Sequence, residues 1–394
     1  MQKWQVENKQ EIKDPKDLLK VILKNRGLTS KKETEDFLNP KLSDVSTESV
    51  KIDEASILKS LKRIDKAIKN KEKIIIFGDY DVDGIAASAI LWETLNSLKA
   101  NVMPYIPSRF DEGYGLSKEG ITNLTSKEKI DLIITVDNGI VANSAIDFAN
   151  EKGIDVIITD HHVPSKKLPK AFAIIHTTYL CGAGVAYLFS KRILKQKITE
   201  NDNHLELVVL ATIADLVPLT GANRILVYYG ILKIRQTKRV GLVSLINSSK
   251  IKKEEIDVYQ VSYIIAPRLN AMGRMYSAMD SLRLICTNSK EKAENLTLIL
   301  TKTNFERQQA TNEALLHAKN SAEKKGLKNL IFIADESYQQ GIIGLVAGRL
   351  VEEYYLPSIV ISKGETLSKA SARSVKGFNI IEFLRTASDL LVDV

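Results

Sequence analysis

The sequence predicts an α/β protein of two unequal lobes: a mostly parallel sheet domain joined by a long helix to a smaller α/β domain. Three observations carry this. From Lys73 to about Pro218, continuous apolar runs alternate with helix-forming stretches, the pattern of strands buried on both faces and linked by crossover helices. From Glu291 to Lys325 runs one polar helical pattern with little to interrupt it. After Gly326 the runs NLIFIADE, QQGIIGLVAGRLVEEYY, PSIVISK and ASARSV return to α/β, with a helix near 379–390. The expected domains are a helical leader over 1–70, a sheet domain with a helical extension over 71–290, the connector over 291–325 and the second lobe over 326–394. A packing role for the connector helix alone stays open.

Composition narrows the function classes. At 394 residues, with 44% hydrophobic and 26% charged residues, the chain can fill two or three cores. No apolar run approaches a membrane span, and the N-terminus MQKWQVENKQEIKD is polar, without a signal-peptide core. Two cysteines, Cys181 and Cys286, suit neither a disulfide scaffold nor a cysteine zinc site. A cytoplasmic location is the default expectation. The formal charge of +8 favours a polyanionic partner, although Lys-rich runs such as Ser248 to Glu255 are often only solvated faces.

In the leader, Leu18 to Arg26, Lys31 to Leu38 and Ile52 to Lys69 read as helices around the turn-rich NPKLSDVSTES. Strands follow at 73–78, 102–106, 131–136, 154–159 and 172–175, with helices near 85–99, 117–126 and 141–151. The first strand runs into GDYDVDG, where Asp79, Asp81 and Asp83 alternate. Three acids in five residues repel one another unless a cation neutralises them, and carboxylate oxygens are what Mg²⁺ and Mn²⁺ prefer. An acidic surface turn is the other reading. The second strand leads to IPSRFDEGYGL, whose Arg109 either pairs with a neighbouring carboxylate or grips a phosphate with its planar guanidinium. The third ends in Asp137, a candidate ligand or a cap for the helix after it. The fourth ends in Asp160, His161 and His162, where one imidazole suits a metal and Asp160 suits orienting a ring. Three strand ends thus bring metal-capable side chains to one edge of one sheet, where open α/β sheets keep their ligands.

Further along, Gly182 and Gly184 allow close packing or leave amides open to an anion. His176 reads as a core histidine, a weak metal candidate or neither. Asp215 lies among apolar neighbours, where an unpaired carboxylate is costly to bury. Neither GxGxxG nor GxxxxGK[ST] occurs, so no nucleotide cofactor is expected. Helical stretches near 223–234, 239–247 and 277–286 flank APRLNAMGR, where Arg268, Asn270 and Arg274 cluster; surface salt bridges would also account for the arginines. Gly341 and Gly344 open a helix and could offer amides to a phosphate.

GDYDVDG, IPSRFDEGYGL, TVDNG, TDHH, CGAGVAY, TIADLVPLTGANR and APRLNAMGR, in that order, resemble the DHH phosphoesterases, and within them the RecJ-type single-strand-specific DNA exonucleases. The resemblance implies a DHH-type sheet domain and a DHH-associated second domain. It makes Asp81, Asp83, Asp137, His161, His162 and Asp215 ligands of two divalent cations, with Mn²⁺ preferred and Mg²⁺ possible. Asp79 supports them, and Asp137 is the natural bridge. It casts Arg109, Arg268, Asn270, Arg274, Ser371 and Arg373 as phosphate or strand contacts. It implies a monomer acting on single-stranded DNA, with 5′ to 3′ polarity, in DNA repair and recombination. The chain stops at LLVDV, where such proteins usually continue into a glycine-glycine-histidine segment, which bears on DNA grip more than on metal binding. The competing functions are a phosphodiesterase for oligonucleotides or cyclic dinucleotides, and a catalytically weak nucleic-acid-binding protein of the same fold.

Overall fold

The computed structural model describes residues 6, 12 and 14–392. Residues 1–5, 7–11 and 13 of the expected leader, and 393 and 394 of the second lobe, lie outside the described residues. The leader holds three helices, α1 (Pro15–Asn25), α2 (Lys31–Leu38) and α3 (Glu54–Lys69), each opened by a side-chain cap from Asp14, Ser30 or Asp53. Ile57, Ile64 and Ala67 bury the inner stripe of α3. Its Arg63 is almost fully buried and bonds Asp155 at 2.5 Å, Glu72 at 2.6 Å and the carbonyl of Asp131 at 3.2 Å, which ties the leader to the sheet.

The first sheet has the order β2 (Val102–Tyr105), β1 (Ile74–Phe77), β3 (Leu132–Val136), β4 (Asp155–Asp160), β5 (Ala173–His176), all parallel. Every residue of β1 and β3 is buried, as their unbroken apolar runs require. Ile74, Ile76, Leu132 and Ile134 face one core; Ile75, Phe77 and Ile133 face the other. The second face is covered by α5 (Lys118–Thr125) and α6 (Asn143–Glu151), the first by α4 (Val82–Ser97), α7 (Gly182–Leu194) and α8 (Leu205–Ala214). Because the strands are parallel, their carboxyl ends share one edge. Register pairs Phe77 with Thr135, Val136 with Thr159 and Asp160 with His176.

Helix α4 starts three residues earlier than its apolar pattern suggests, because Asp81 caps it by accepting the amides of Asp83 and Gly84. Its far end is fixed by charge. Glu93 bonds Arg239 at 2.5 Å and His204 at 3.0 Å, and Arg239 also bonds the buried Glu206 at 2.8 Å.

Helices α9 (Gly221–Arg235), α10 (Val240–Ser248), α12 (Ala266–Met275) and α13 (Met279–Cys286) extend the first core, with the single turn α11 (Val258–Gln260) between α10 and α12. A wide π-helical turn over Val261–Ile265 leads into α12, which carries the APRLNAMGR stretch. Helix α14 (Lys290–Lys325), about 54 Å long at 1.5 Å per residue, places Ala293 and Leu300 in that core and Ala314, Ala318 and Ala322 in a separate core of the second lobe. That lobe is a three-stranded sheet of β6 (Ile331–Asp335), β7 (Ser358–Ser362) and β8 (Lys369–Arg373), with β8 antiparallel, packed on α15 (Ile343–Tyr354). The last expected helix is shorter than 379–390: α16 (Ile380–Arg385) ends before a separate 3₁₀ turn at Ser388–Leu390. Among the described residues no helix is long and apolar enough to cross a membrane.

The Glu93 network predicts a signed pH response. Burial raises the Glu93 carboxyl, but hydrogen bonds from His204 and Arg239 outweigh it and bring it from 4.5 down to about 2. A depressed folded value means stability present above pH 4.5 and lost as pH falls towards 2; Glu93→Gln should remove that acid-labile part in urea titrations. Arg239→Ala strands two carboxylates and should cost about 3 kcal/mol or more at neutral pH.

Candidate metal centre and phosphate cavity

Each strand end at the shared edge delivers side chains by a different local device. After β1, Gly78 turns the chain and Asp79 is buried with Oδ1 unpartnered. Asp83, in the first turn of α4, is fully enclosed. Its two oxygens accept the amides of Gly182 and Ala183, each at 2.6 Å. The anion taken by the amides opening α7 is therefore one of the chain's own carboxylates. After β3, Asp137 adopts a left-handed conformation with φ 62°. It caps no helix: α6 begins at Asn143 with Ala142 before it. A Cβ on Gly182 would lie 2.6 Å from the Asp137 Cβ, so only glycine lets α7 approach that residue. Asn138 clamps the turn, donating to the carbonyls of Phe77 and Val136 and accepting the Leu116 amide.

After β4, Asp160 accepts the amides of Ile140, His161 and His162, and its Oδ1 lies 2.8 Å from His162 Nδ1. The ring is thereby oriented with Nε2 outward, 3.1 Å from the Tyr114 hydroxyl. His176 Nε2 sits 2.7 Å from the His162 carbonyl and braces the same turn. His161 Nε2 lies 3.1 Å from Asp137 Oδ1, 3.6 Å from Asp83 Oδ2 and 3.7 Å from Asp215 Oδ2. Asp215 follows the last turn of α8 and is partly open to solvent.

Ligand-capable atoms form three overlapping groups, each within 4.8 Å: Asp137 with His161 and His162; Asp83 with His161 and Asp215; Asp79 with Asp81 and Asp137. The electrostatics fit cations. Burial first, then mutual repulsion, lifts Asp79 and Asp137 well above the usual carboxylate range, Asp83 to about 7 and Asp215 to about 6. Burial and the neighbouring His162 lower His161 to about 4, so it is neutral at pH 7. The close approach of His161 Nε2 and Asp137 Oδ1 misses hydrogen-bond geometry and leaves both buried atoms unpartnered. Two electron-rich atoms turned towards each other, with further carboxylates around them, are a donor set for divalent ions.

Beside this cluster a cavity of about 370 Å³ opens between the lobes. It is lined by Tyr80, Arg109, Tyr114 and Arg274 on one side and by Gln340, Gly341, Gly344, Lys369, Ser371 and Arg373 on the other. Arg109 lies over the Tyr80 ring at 3.9 Å and donates to the Gly273 carbonyl. Gly273 is forced by contact: a Cβ there would lie 2.2 Å from the Tyr80 carbonyl oxygen. Arg274 is half-buried, its guanidinium brought down to about 10 by burial and by Arg109, and it donates to the Gly341 carbonyl across the lobes. Among the described residues, no carboxylate lies within ion-pair reach of Arg109, Arg274, Arg373 or Lys369. Four cations around one cavity, none in a direct ion pair, give it a charge that suits an anion. Gly344 sits in the first turn of α15 facing Ser371 and Arg373.

Two residues of the expected phosphate set lie outside this lining. Asn270 spends its Oδ1 on the Val82 amide at 2.9 Å, which steadies the acidic turn from α12. Arg268 donates to the Ile264 carbonyl, with its Nε unpartnered. Tyr80, Tyr114, Lys369 and Gln340 also line the site; Tyr80 and Tyr114 stand inside the motifs that carry the acids and Arg109, and their sequence positions alone carry no signal of this role.

The family model for the DHH family, N-terminal domain, matches residues 73–214. The chain is 36% identical over 386 residues to the single-stranded-DNA-specific exonuclease RecJ of Bacillus subtilis, covering 95% of this chain and 48% of that relative. Its fold matches RecJ of Thermus thermophilus in complex with Mn²⁺ with a TM-score of 0.79 at 29% identity, over 94% of this chain and 53% of the other. It also matches an exonuclease RecJ bound to manganese, with a TM-score of 0.75 at 31% identity and 86% of both chains covered. The chain thus spans about half the length of the first two.

Carboxyls raised by burial stabilise the fold only while protonated. The metal-free protein should therefore lose thermal stability as pH rises from about 4 through about 7, the window set by Asp215 and Asp83. Mn²⁺ should abolish that loss. A Tm in EDTA that is flat across this window would contradict the assignment. Gly182→Ala should weaken Mn²⁺ binding in the same titrations by displacing Asp137.

Proposed function

The chain belongs to the DHH family, in its RecJ-type branch, and on that premise we propose that it is a divalent-metal-dependent exonuclease that hydrolyses single-stranded DNA from a 5′ end. The observation that carries this reading is a juxtaposition. The carboxylate–histidine cluster and the uncompensated arginine cavity share one wall, through Tyr80 and through Tyr114, whose hydroxyl reaches His162. Carboxylates with imidazoles suit cations, and guanidiniums without a carboxylate partner suit phosphates; adjacency of the two suits cleavage of a phosphodiester.

Asp81, Asp83, Asp137, His161, His162 and Asp215 would hold two ions, with Asp79 in support and Asp137 between them. Mn²⁺ is the preferred metal in this reading. The chemistry such ions supply is activation of water and neutralisation of charge on the phosphoryl group in flight. The protein's own contribution is positional. The amides of Gly182 and Ala183 hold the Asp83 oxygens in fixed directions, and Asp160 fixes which ring nitrogen of His162 faces the substrate. Arg109, held against Tyr80, and Arg274, held against Gly341, would grip phosphate oxygens, while Ser371 and Arg373 on β8 would guide the strand. A gap between two lobes bridged by a contact as close as Arg274 to Gly341 suits a single strand better than a B-form duplex, whose major groove alone is about 12 Å wide.

With Mn²⁺, an end-labelled linear strand should release mononucleotides first from its 5′ end, while the same strand circularised and its blunt duplex are spared. Efficient cutting of the circle would defeat the exonuclease reading; hydrolysis confined to dinucleotides would make this a small-substrate phosphodiesterase. Asp137→Ala should remove bound metal and nearly all turnover with the fold kept. For Arg373→Ala, the dependence of single-strand affinity on salt should become shallower by about 0.7 in log–log slope.

A further inference from the structure

We propose that a second interlobe cavity, next to the phosphate cavity, is a sequence-tolerant nucleobase subsite walled by Phe110 and Tyr276. The proposal deepens the single-strand reading and rests on it. This cavity, about 450 Å³, falls in the range of small-molecule sites, roughly 300–1,000 Å³. It shares Arg274 and Gln340 with the phosphate cavity, so one guanidinium faces both spaces. A nucleotide chain seats phosphates and bases side by side, and two adjoining cavities with a common arginine match that alternation.

The lining has the chemistry of base recognition. Phe110 follows β2 in the loop that carries Arg109, and Tyr276 directly follows α12, which carries Arg274. Each phosphate-gripping arginine therefore brings an aromatic ring within two residues. Phe110 is 43% and Tyr276 56% exposed, and neither ring packs on another aromatic ring among the described residues. The Tyr276 hydroxyl bonds Glu306 of α14 at 3.2 Å, which restrains the ring. The other wall, from the second lobe, presents Ser337, Gln339 and Gln340. A glutamine amide both donates and accepts, so it can meet the edge of any base. Stacking on Phe110 and Tyr276 is likewise indifferent to sequence, because every base has a π-face. Glu336 at the rim disfavours a second phosphate there, which marks this space for a base.

The test compares intact strands with strands carrying one abasic site at each terminal position in turn. Affinity is read by fluorescence anisotropy in EDTA, where nothing is cut. In the wild-type protein one position should show a loss of about 5-fold or more, the lower end of what base–aromatic stacking contributes. In Phe110→Ala/Tyr276→Ala that penalty should vanish, because the ring partners are already gone; Tyr276→Phe, which keeps the ring, should retain it. An abasic penalty of equal size in the wild type and the double variant, or none at any position in the wild type, overturns the subsite while leaving metal-dependent hydrolysis to stand. A wild-type protein that neither binds single strands in EDTA nor cuts them with Mn²⁺ overturns both readings.

Discussion

Asp83 accepts the opening amides of α7 through both oxygens while sitting in the first turn of α4, and the architecture of the site depends on that pair of bonds. Two helices meet there head to head across a buried carboxylate, an arrangement favourable to one negative charge and to the partial positive charge at each helix start. Their meeting also brings Gly182 against Asp137, and the left-handed turn at Asp137 aims its carboxylate at the His161 ring. The cluster is thus less a collection of ligands than the result of one helix-terminus contact, with neighbours placed around it by three parallel strands.

Much of this was legible in the sequence, for identifiable reasons. Strands buried on both faces leave unbroken apolar runs, so β1, β3 and β4 stand out, and parallel pairing then sends Asp79, Asp137 and His161 to one edge. Two kinds of feature stayed hidden. Where α4 begins was masked by its acids, which look like a turn until Asp81 is seen capping and Asp83 is seen bonded to another helix. Roles that depend on distant partners could not be read either: Asn270 lies in an arginine-rich stretch, yet its carbonyl oxygen serves the amide of Val82, a residue far away in sequence. Tyr114 likewise acquires meaning only when its hydroxyl is placed beside His162.

The site also draws on charge far from its own edge. Helix α4 carries acids at its start and Glu93 near its finish, so the same rod is fixed at one end by amides and at the other by Arg239 and His204. A hydrophobic helix enclosed on nearly all sides could slide along its axis without losing much contact. Polar anchors at both ends remove that freedom, and they set how far Asp81 and Asp83 project from the sheet.

Helix α14 gives residues to two cores with no break between them. Such an element makes the lobes thermodynamically interdependent. Loosening the second lobe frees the last turns of α14, and unravelling that progresses towards Leu300 takes packing from the first lobe. Unfolding of the molecule is then expected as one cooperative event rather than two, and mechanical strain applied to the second lobe is carried along α14 to the helices that brace the acidic turn.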